Sequence, residues 1–147
     1  MTLCAPVQLL IVEDNNLDAE RVLRTFKRLN IPYSFERAKD GIDALDTLRG
    51  TGGRAPLAGQ RIVLLDLNMP RMNGLEFLQE VRNDPELSDT PVFVFTTSDR
   101  PQDISDAHRL NVAGYIVKPM RSEEMTEAFD TLHRFWELSK YPPAQIL

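Results

Sequence analysis

Apolar and polar residues follow two different periods along this chain. Short uninterrupted apolar runs predict strands that are buried on both faces, as in the middle of a parallel sheet. Between these runs, apolar residues recur every three or four positions, which is typical of amphipathic helices. One run has the alternating character of an edge strand. The predicted strands are Gln8 to Val12, Tyr33 to Ala38 (the alternating run), Ile62 to Leu65, Val92 to Thr96 and Gly114 to Pro119.

A predicted helix follows each strand. Strict alternation of strands and helices predicts an α/β fold in one domain, with a doubly wound five-stranded parallel sheet and right-handed crossovers. Gly50 to Gln60, rich in glycine, is predicted to be a surface loop. The predicted helices are Leu17 to Leu29, Ile42 to Leu48, about Asn73 to Asn83, about Pro101 to Leu110 and a final helix after Ser122.

Composition narrows the class of protein. A chain of 147 residues has the length of one domain. The net charge of −5 argues against nucleic-acid binding, which needs clustered lysine and arginine. The single cysteine, Cys4, allows neither an internal disulfide nor a cysteine-built metal site. No signal peptide or membrane span is predicted, so we expect a cytoplasmic protein that does not interact with membranes.

Asp66 is the residue around which the predicted sheet is organised. It directly follows the buried run Ile62 to Leu65, and Pro70 and Asn73-Gly74 shape the loop after it. Ligands of open parallel sheets bind at the carboxyl ends of the strands, which makes Asp66 a candidate for chemistry. Taken alone, the same residue also suits a solvated acid or a helix cap.

The other strands also end on polar residues. Glu13-Asp14 follows the first strand, Thr96 ends the fourth and Lys118 ends the fifth. Because the carboxyl ends of parallel strands lie at one edge of the sheet, we expect these side chains to meet in one pocket. Each of them also has a simpler interpretation: a helix cap for the acids, a strand residue for Thr96 and a salt-bridge partner for Lys118.

Clustered carboxylates repel one another unless a cation neutralises them. Oxygen ligands without histidine or cysteine favour Mg²⁺. In this interpretation Asp14 and Asp66 supply carboxylates, and the backbone carbonyl of Asn68 supplies a third ligand. Glu13 would hold a metal-bound water.

An ionised carboxylate beside Mg²⁺ and a lysine is equipped to accept a phosphoryl group. The metal and the ammonium group stabilise the charge on the transferred oxygens, and the nucleophile needs no general base. Lys118 and the Thr96 hydroxyl remain free to contact an anion. We therefore predict an acyl phosphate on Asp66.

These motifs resemble the receiver domain of the response regulators of two-component signalling. The resemblance covers about Leu9 to Leu138. It rests on Glu13-Asp14, on the segment from Leu65 to Gly74, on Thr96-Thr97-Ser98 and on the segment from Tyr115 to Pro119.

The resemblance implies a flavodoxin-like fold and a set of roles. Asp66 takes phosphate from the histidine of a sensor kinase, Mg²⁺ is the cofactor, and a cis peptide bond joins Lys118 to Pro119. Thr96 and Tyr115 match the pair that couples phosphorylation to the surface of the fourth helix, fifth strand and fifth helix. Tyr115 also suits a core aromatic residue that never moves. In either case the chain is a signalling domain and not an enzyme in the usual sense.

One subgroup is especially similar: the small stand-alone regulators paired with bacterial phytochromes. The similarity rests on Thr96-Thr97-Ser98, the glycine-rich loop, and the Phe135 to Leu138 helix end followed by Tyr141-Pro142. Members of the subgroup are commonly dimers through the last helix, so we expect a homodimer. Residues 139–147 form a C-terminal extension beyond the 8–138 core, either an arm exchanged between partners or a frayed terminus.

Other functions compete with this interpretation. A phosphorelay shuttle would pass the phosphoryl group on to a second histidine, and a degenerate receiver would only bind partners. Hydrolytic phosphotransferases with an aspartyl nucleophile need a second acid where this chain has Asn68. No residues remain after the receiver for an output domain, so we expect the output in another protein, which the sequence does not identify.

Overall fold

The structure is a computed structural model, and it describes residues 7–53 and 60–140. Most of the predicted surface loop and all but the first two residues of the C-terminal extension lie outside the described residues. Within these residues, five strands alternate with five helices in chain order. They are β1 (Gln8–Val12), α1 (Asn16–Arg28), β2 (Ser34–Ala38), α2 (Gly41–Arg49), β3 (Arg61–Leu65), α3 (Gly74–Asn83), β4 (Val92–Thr96), α4 (Pro101–Arg109), β5 (Gly114–Val117) and α5 (Ser122–Leu138).

All five strands are parallel and form one sheet in the order β2-β1-β3-β4-β5. The register aligns the carboxyl ends of neighbouring strands, since Val12 pairs with both Ala38 and Leu65, and Leu65 pairs with Val94. This confirms the predicted doubly wound α/β fold, with β2 at an edge. Three strands differ slightly from their predicted bounds: β2 begins after Tyr33, β3 begins one residue earlier, at Arg61, and β5 ends before Lys118.

Apolar side chains fill both faces of the sheet. One face packs against α2, α3 and α4, and its members include Leu10, Val63, Phe77, Val94 and Ala107. The other packs against α1 and α5, and its members include Leu9, Phe26, Leu64, Phe93, Phe129 and Trp136. Because every strand except the edge strands is covered on both faces, its side chains are apolar without alternation, which explains the pattern in the sequence.

Three helices begin with a side-chain cap at the same edge of the sheet. The side chains of Asn15, Asp40 and Asn73 accept hydrogen bonds from backbone N–H groups in the first turns of α1, α2 and α3. At α3 the cap is reciprocal, because the Glu76 side chain accepts in turn from the Asn73 backbone. These caps determine where each strand-to-helix loop turns, and the loops carry the candidate site.

Gly74 allows α3 to start directly against the end of β3. A Cβ atom at this position would overlap the carbonyl oxygen of Asp66 and lie 2.7 Å from the Cα of Leu67. A glycine is therefore required here, because the two backbone segments approach each other closely. As a result, the N-terminus of α3 lies next to Asp66.

One expectation is wrong. The described residues contain no cis peptide bond, so the bond between Lys118 and Pro119 is trans. The trans form is also the favoured isomer of an X-Pro bond, by about 0.5–1 kcal/mol. Among residues 7–53 and 60–140, no helix is long and apolar enough to cross a membrane.

Candidate functional site at the carboxyl edge of the sheet

The structure brings the predicted acids and the lysine together at the carboxyl ends of the strands. Glu13 follows β1, Asp66 follows β3 and Lys118 follows β5. Glu13 and Asp66 are buried, whereas Asp14 and Asn68 are exposed beside them. The site is thus an acidic pocket whose floor is buried and whose rim faces solvent.

Lys118 is the cation that neutralises this pocket. Its Nζ atom lies 2.6 Å from Glu13 Oε1, 2.9 Å from Asp18 Oδ2 and 3.4 Å from Asp66 Oδ2. Burial alone would lower the pKa of the Lys118 ammonium group, but its hydrogen bonds to Glu13 and Asp18 and the nearby negative charges raise it above the usual range. Lys118 therefore stays charged.

The pKa of the Glu13 carboxyl group is strongly raised in this pocket. Burial raises its pKa from 4.5 to about 7, with Asp66 adding repulsion, although the hydrogen bond from Lys118 acts in the opposite direction. The second carboxylate oxygen of Glu13 accepts a hydrogen bond of 3.2 Å from the Asn15 backbone. The Glu13 carboxylate is thus held in place but poorly hydrated, and an additional cation would stabilise its charge.

Glu13, Asp14 and Asp66 each offer a carboxylate oxygen, and these atoms lie within 4.8 Å of one another. All three are hard oxygen donors, and one of the three residues is open to solvent. A small divalent cation that keeps part of its water shell suits such a site. The residues present therefore fit the Mg²⁺ that the sequence predicts.

The loop from β3 to α3 is tied to the β2–α2 loop. Arg71 donates from Nε and Nη2 to Oδ2 of the buried Asp40, at 2.8 and 2.6 Å. The Gly41 N–H also donates to the Met72 carbonyl at 3.0 Å. Arg71 has a φ of 62°, a conformation that costs a non-glycine residue free energy and persists only where its surroundings hold it. The same loop carries Asn68, whose N–H lies 3.4 Å from Asp66 Oδ1.

Arg37 of β2 makes hydrogen bonds to the loop after β1, which carries Glu13 and Asp14. Its Nε and Nη2 donate to the backbone carbonyl of Glu13 at 3.1 and 2.9 Å, and Nη1 donates to Asn16 Oδ1 at 2.6 Å. Because the planar guanidinium group makes three hydrogen bonds to this loop and the first residue of α1, it restricts the loop more strongly than a single hydrogen bond would.

Thr96 and Tyr115 are connected through the backbone of one residue. The Ser98 N–H lies 3.4 Å from the fully buried Thr96 hydroxyl, and the Ser98 carbonyl accepts a hydrogen bond of 2.8 Å from the Tyr115 hydroxyl. Thr96 also accepts the Lys118 N–H through its carbonyl, at 2.7 Å. Thr96 and Tyr115 therefore lie near Lys118 in the fold, and the backbone of Ser98 connects them.

A sequence model of the response regulator receiver domain matches residues 9–130. The chain belongs to this family. As a receiver, it is a signalling domain and not an enzyme in the usual sense.

Curated relatives and solved structures extend the comparison. The chain is 36% identical to the probable methanogenesis regulatory protein FilR2 of Methanothrix harundinacea, over 89% of this chain and 84% of the relative. It is 30% identical to the response regulator Rcp1 of Synechocystis, over 89% of each. The crystal structure of the phosphorylated cyanobacterial phytochrome response regulator RcpA superimposes with a TM-score of 0.84 at 30% identity, covering 94% of this chain and 99% of that one. The receiver is thus related to phytochrome response regulators.

Three further residues contact this pocket or its loops and are not among the predicted site residues: Asp18, Arg37 and Arg71. Asp18 does have a usable signal, because it is an acid in the first turn of a helix that follows a site strand. Arg37 and Arg71 carry no such signal, because their partners are a backbone carbonyl and a residue 31 positions away.

Proposed function

We propose that this receiver accepts a phosphoryl group on Asp66 from the phosphohistidine of a sensor histidine kinase. The observation that carries the proposal is the buried Asp66 carboxylate beside Lys118 Nζ, at 3.4 Å, and the acidic cluster. A nucleophile, a cation for the transferred oxygens and a set of metal ligands are then adjacent, which is what phosphoryl transfer to a carboxylate requires.

Four residues would hold Mg²⁺: Asp14 and Asp66 through their carboxylates, Asn68 through its backbone carbonyl and Glu13 through a water molecule. When bound, the metal supplies positive charge for the oxygens of the phosphoryl group. A related regulator, Rcp1, has a crystal structure in its Mn²⁺-bound form. That structure supports a divalent cation as a ligand of this receiver.

In the transfer itself, an Asp66 carboxylate oxygen forms a bond to phosphorus as the phosphorus–nitrogen bond of the phosphohistidine breaks. The electron pair of that bond returns to the ring nitrogen. Because the other ring nitrogen of the phosphohistidine carries a proton, the imidazole leaves as a neutral ring. Lys118 contributes the fixed positive charge that stabilises the transferred oxygens. The Arg71 contact to Asp40 positions the loop next to the nucleophile.

The switch would use the Thr96, Ser98 and Tyr115 connection. A phosphoryl oxygen that hydrogen-bonds the Thr96 hydroxyl would draw it from the Ser98 N–H, and the Tyr115 hydroxyl is held by the same residue. A change at Asp66 would then alter the surface of α4, β5 and α5.

The proposed partners follow from the relatives. The cyanobacterial phytochrome response regulator RcpA and the bacteriophytochrome response regulator RtBRR support a phytochrome-type sensor kinase as the partner. We propose that kinase and receiver act in the cytoplasm. We also propose a homodimer through α5, which carries the half-exposed Phe135 and the exposed Leu138. Residues 139–147 would act as the exchanged arm of that dimer.

Mass spectrometry after incubation with a small phosphodonor tests the proposal. We expect a gain of one phosphoryl group that requires Mg²⁺ and disappears in Asp66→Asn. Asp130→Asn, which neutralises an acid of α5 paired with Arg134 away from the pocket, is the matched control and should be modified like the native chain. A folded native chain that binds Mg²⁺ but gains no mass would instead favour a receiver that only binds partners.

A further inference from the structure

Asp18 contacts the lysine of the pocket, although it is not among the residues of the proposed phosphoryl site. It lies in the first turn of α1, and its Oδ2 atom is 2.9 Å from Lys118 Nζ. This contact joins two elements that are far apart in sequence. It therefore reflects the assembled pocket and not the helix alone.

The three carboxylates around Lys118 occupy its whole donor capacity. An ammonium group has three N–H donors, and here they face Glu13 at 2.6 Å, Asp18 at 2.9 Å and Asp66 at 3.4 Å. Asp66 has the longest of the three contacts. A phosphoryl oxygen on Asp66 is held at a short distance by this ammonium group only if Lys118 moves away from Glu13 or Asp18, which now make the two shorter contacts.

Exposure determines which carboxylate is released more easily. The Glu13 side chain is 4% exposed, whereas the Asp18 side chain is 30% exposed. A buried carboxylate that loses its cation has little access to water that could solvate its charge. At the partly exposed Asp18, by contrast, water can replace the lysine. The contact with Asp18 is therefore the one that breaks at the smaller cost.

We propose that Asp18 is a positioning residue that keeps the contact between Lys118 and Asp66 long in the unphosphorylated receiver and releases Lys118 when a phosphoryl group arrives. This inference rests on the proposed function. Competition for one ammonium group makes Asp18 a residue that weakens binding of the phosphoryl group. The phosphorylated state of this receiver is then less favourable than it would be with a neutral residue at position 18.

The test uses beryllium trifluoride, a phosphoryl mimic, bound to the full chain in the presence of Mg²⁺ and measured by isothermal titration calorimetry. We expect Asp18→Asn to bind it about three- to tenfold more tightly than the native chain, the range for loss of one partly exposed competing charge contact. Asp18→Ala should shift the affinity in the same direction. Thermal melts of each variant verify folding.

Glu20→Gln is the matched control. Glu20 lies on the same helix and carries the same charge, but it pairs with Arg24 at 2.7 Å. Its replacement should leave the affinity unchanged. An unchanged or weaker affinity in folded Asp18→Asn overturns the inference, as does an equal gain in both variants, because that would reflect net charge alone.

A crystal structure of the native chain with beryllium trifluoride supplies the second measurement. We expect Lys118 Nζ to contact a fluorine atom and to lie more than about 4 Å from Asp18, beyond ion-pair distance. Retention of the Lys118–Asp18 contact in that complex overturns the inference even if the affinity rises. If the native chain binds no beryllium trifluoride, the phosphoacceptor proposal itself fails, which is a separate result from native binding with no effect of Asp18.

Discussion

Two buried regions of this receiver are built on opposite principles. The layer between the sheet and helices α1 and α5, called the aromatic layer here, is rich in aromatic rings. Phe129 stacks on Phe26 at 4.7 Å and packs on Phe95 at 5.1 Å between ring centroids. The pocket at the carboxyl edge buries Glu13 and Asp66 with Lys118. Burial of the rings stabilises the fold, whereas burial of the charges costs free energy that the lysine offsets in part.

The difference separates stability from chemistry. Substitutions in the aromatic layer should change the free energy of unfolding and leave the pocket's ligand preferences alone. Substitutions in the pocket should change binding, and their effect on stability should depend on pH and metal. Variants of each region therefore test one side of this separation.

The largest effect is expected for Phe129→Ala. Its ring is fully buried, so the loss should be about 3–5 kcal/mol in the free energy of unfolding measured with urea. Phe135→Ala, on the same helix but 49% exposed, should lose less than about 1 kcal/mol. Losses of similar size would mean that the aromatic layer does not dominate stability.

Lys118→Met removes the cation and leaves the carboxylates of the pocket unpaired. At pH 8 without metal we expect a loss of about 3 kcal/mol in the free energy of unfolding, because Glu13 and Asp66 then repel each other in a buried setting. Millimolar Mg²⁺ should restore part of it, more than it stabilises the native chain. A loss that is insensitive to Mg²⁺ would argue that the methionine disturbs packing instead.

Glu13→Gln should change how stability depends on pH. The pKa of Glu13 is about 7 in the folded state and 4.5 ordinarily, so between these values the folded state binds more protons than the unfolded state. Native stability then falls as pH rises through this window, by at most about 1.4 kcal/mol per pH unit from this group. Urea unfolding from pH 5 to 8 should show that the free energy of unfolding of the variant rises relative to that of the native chain as the pH increases. Glu20→Gln, on exposed α1 surface, should run parallel to the native curve.

The smallest effect is expected for a pair of arginine variants. Arg71→Ala breaks the contact to Asp40 and frees the loop of Asn68, so Mg²⁺ affinity should fall by a few-fold. Arg49→Ala breaks the 3.0 Å contact to Asp84 at the other end of α2 and α3, and should leave Mg²⁺ affinity unchanged. Each should alter the free energy of unfolding by less than about 1 kcal/mol. Equal Mg²⁺ affinities would remove Arg71 from the positioning of the loop.

Much of the fold could be predicted because the period of the apolar residues is a local property. The unbroken runs at Ile62 to Leu65 and Val92 to Thr96 are apolar because both faces of the sheet are covered. Parallel strands place their ends at one edge, so the meeting of Glu13, Asp66 and Lys118 also followed from the pattern. The Asn73 cap and Gly74 are equally local signals.

The errors and omissions depend on contacts between distant segments. The expected cis bond at Pro119 came from resemblance, and an X-Pro isomer depends on the packing around it. No local feature of the sequence distinguishes Arg37 or Arg71 from an arginine that is simply exposed to solvent. Only the folded chain directs one to the Glu13 carbonyl and the other to Asp40.

The sequence by itself determined the sheet, its helices and the edge at which the acids and the lysine gather, because hydrophobic period and strand direction are sufficient for that. The tertiary structure alone decided how Lys118 divides its three donors among Glu13, Asp18 and Asp66. That division depends on differences of less than an ångström and on unequal access of water, which no pattern of residue types encodes.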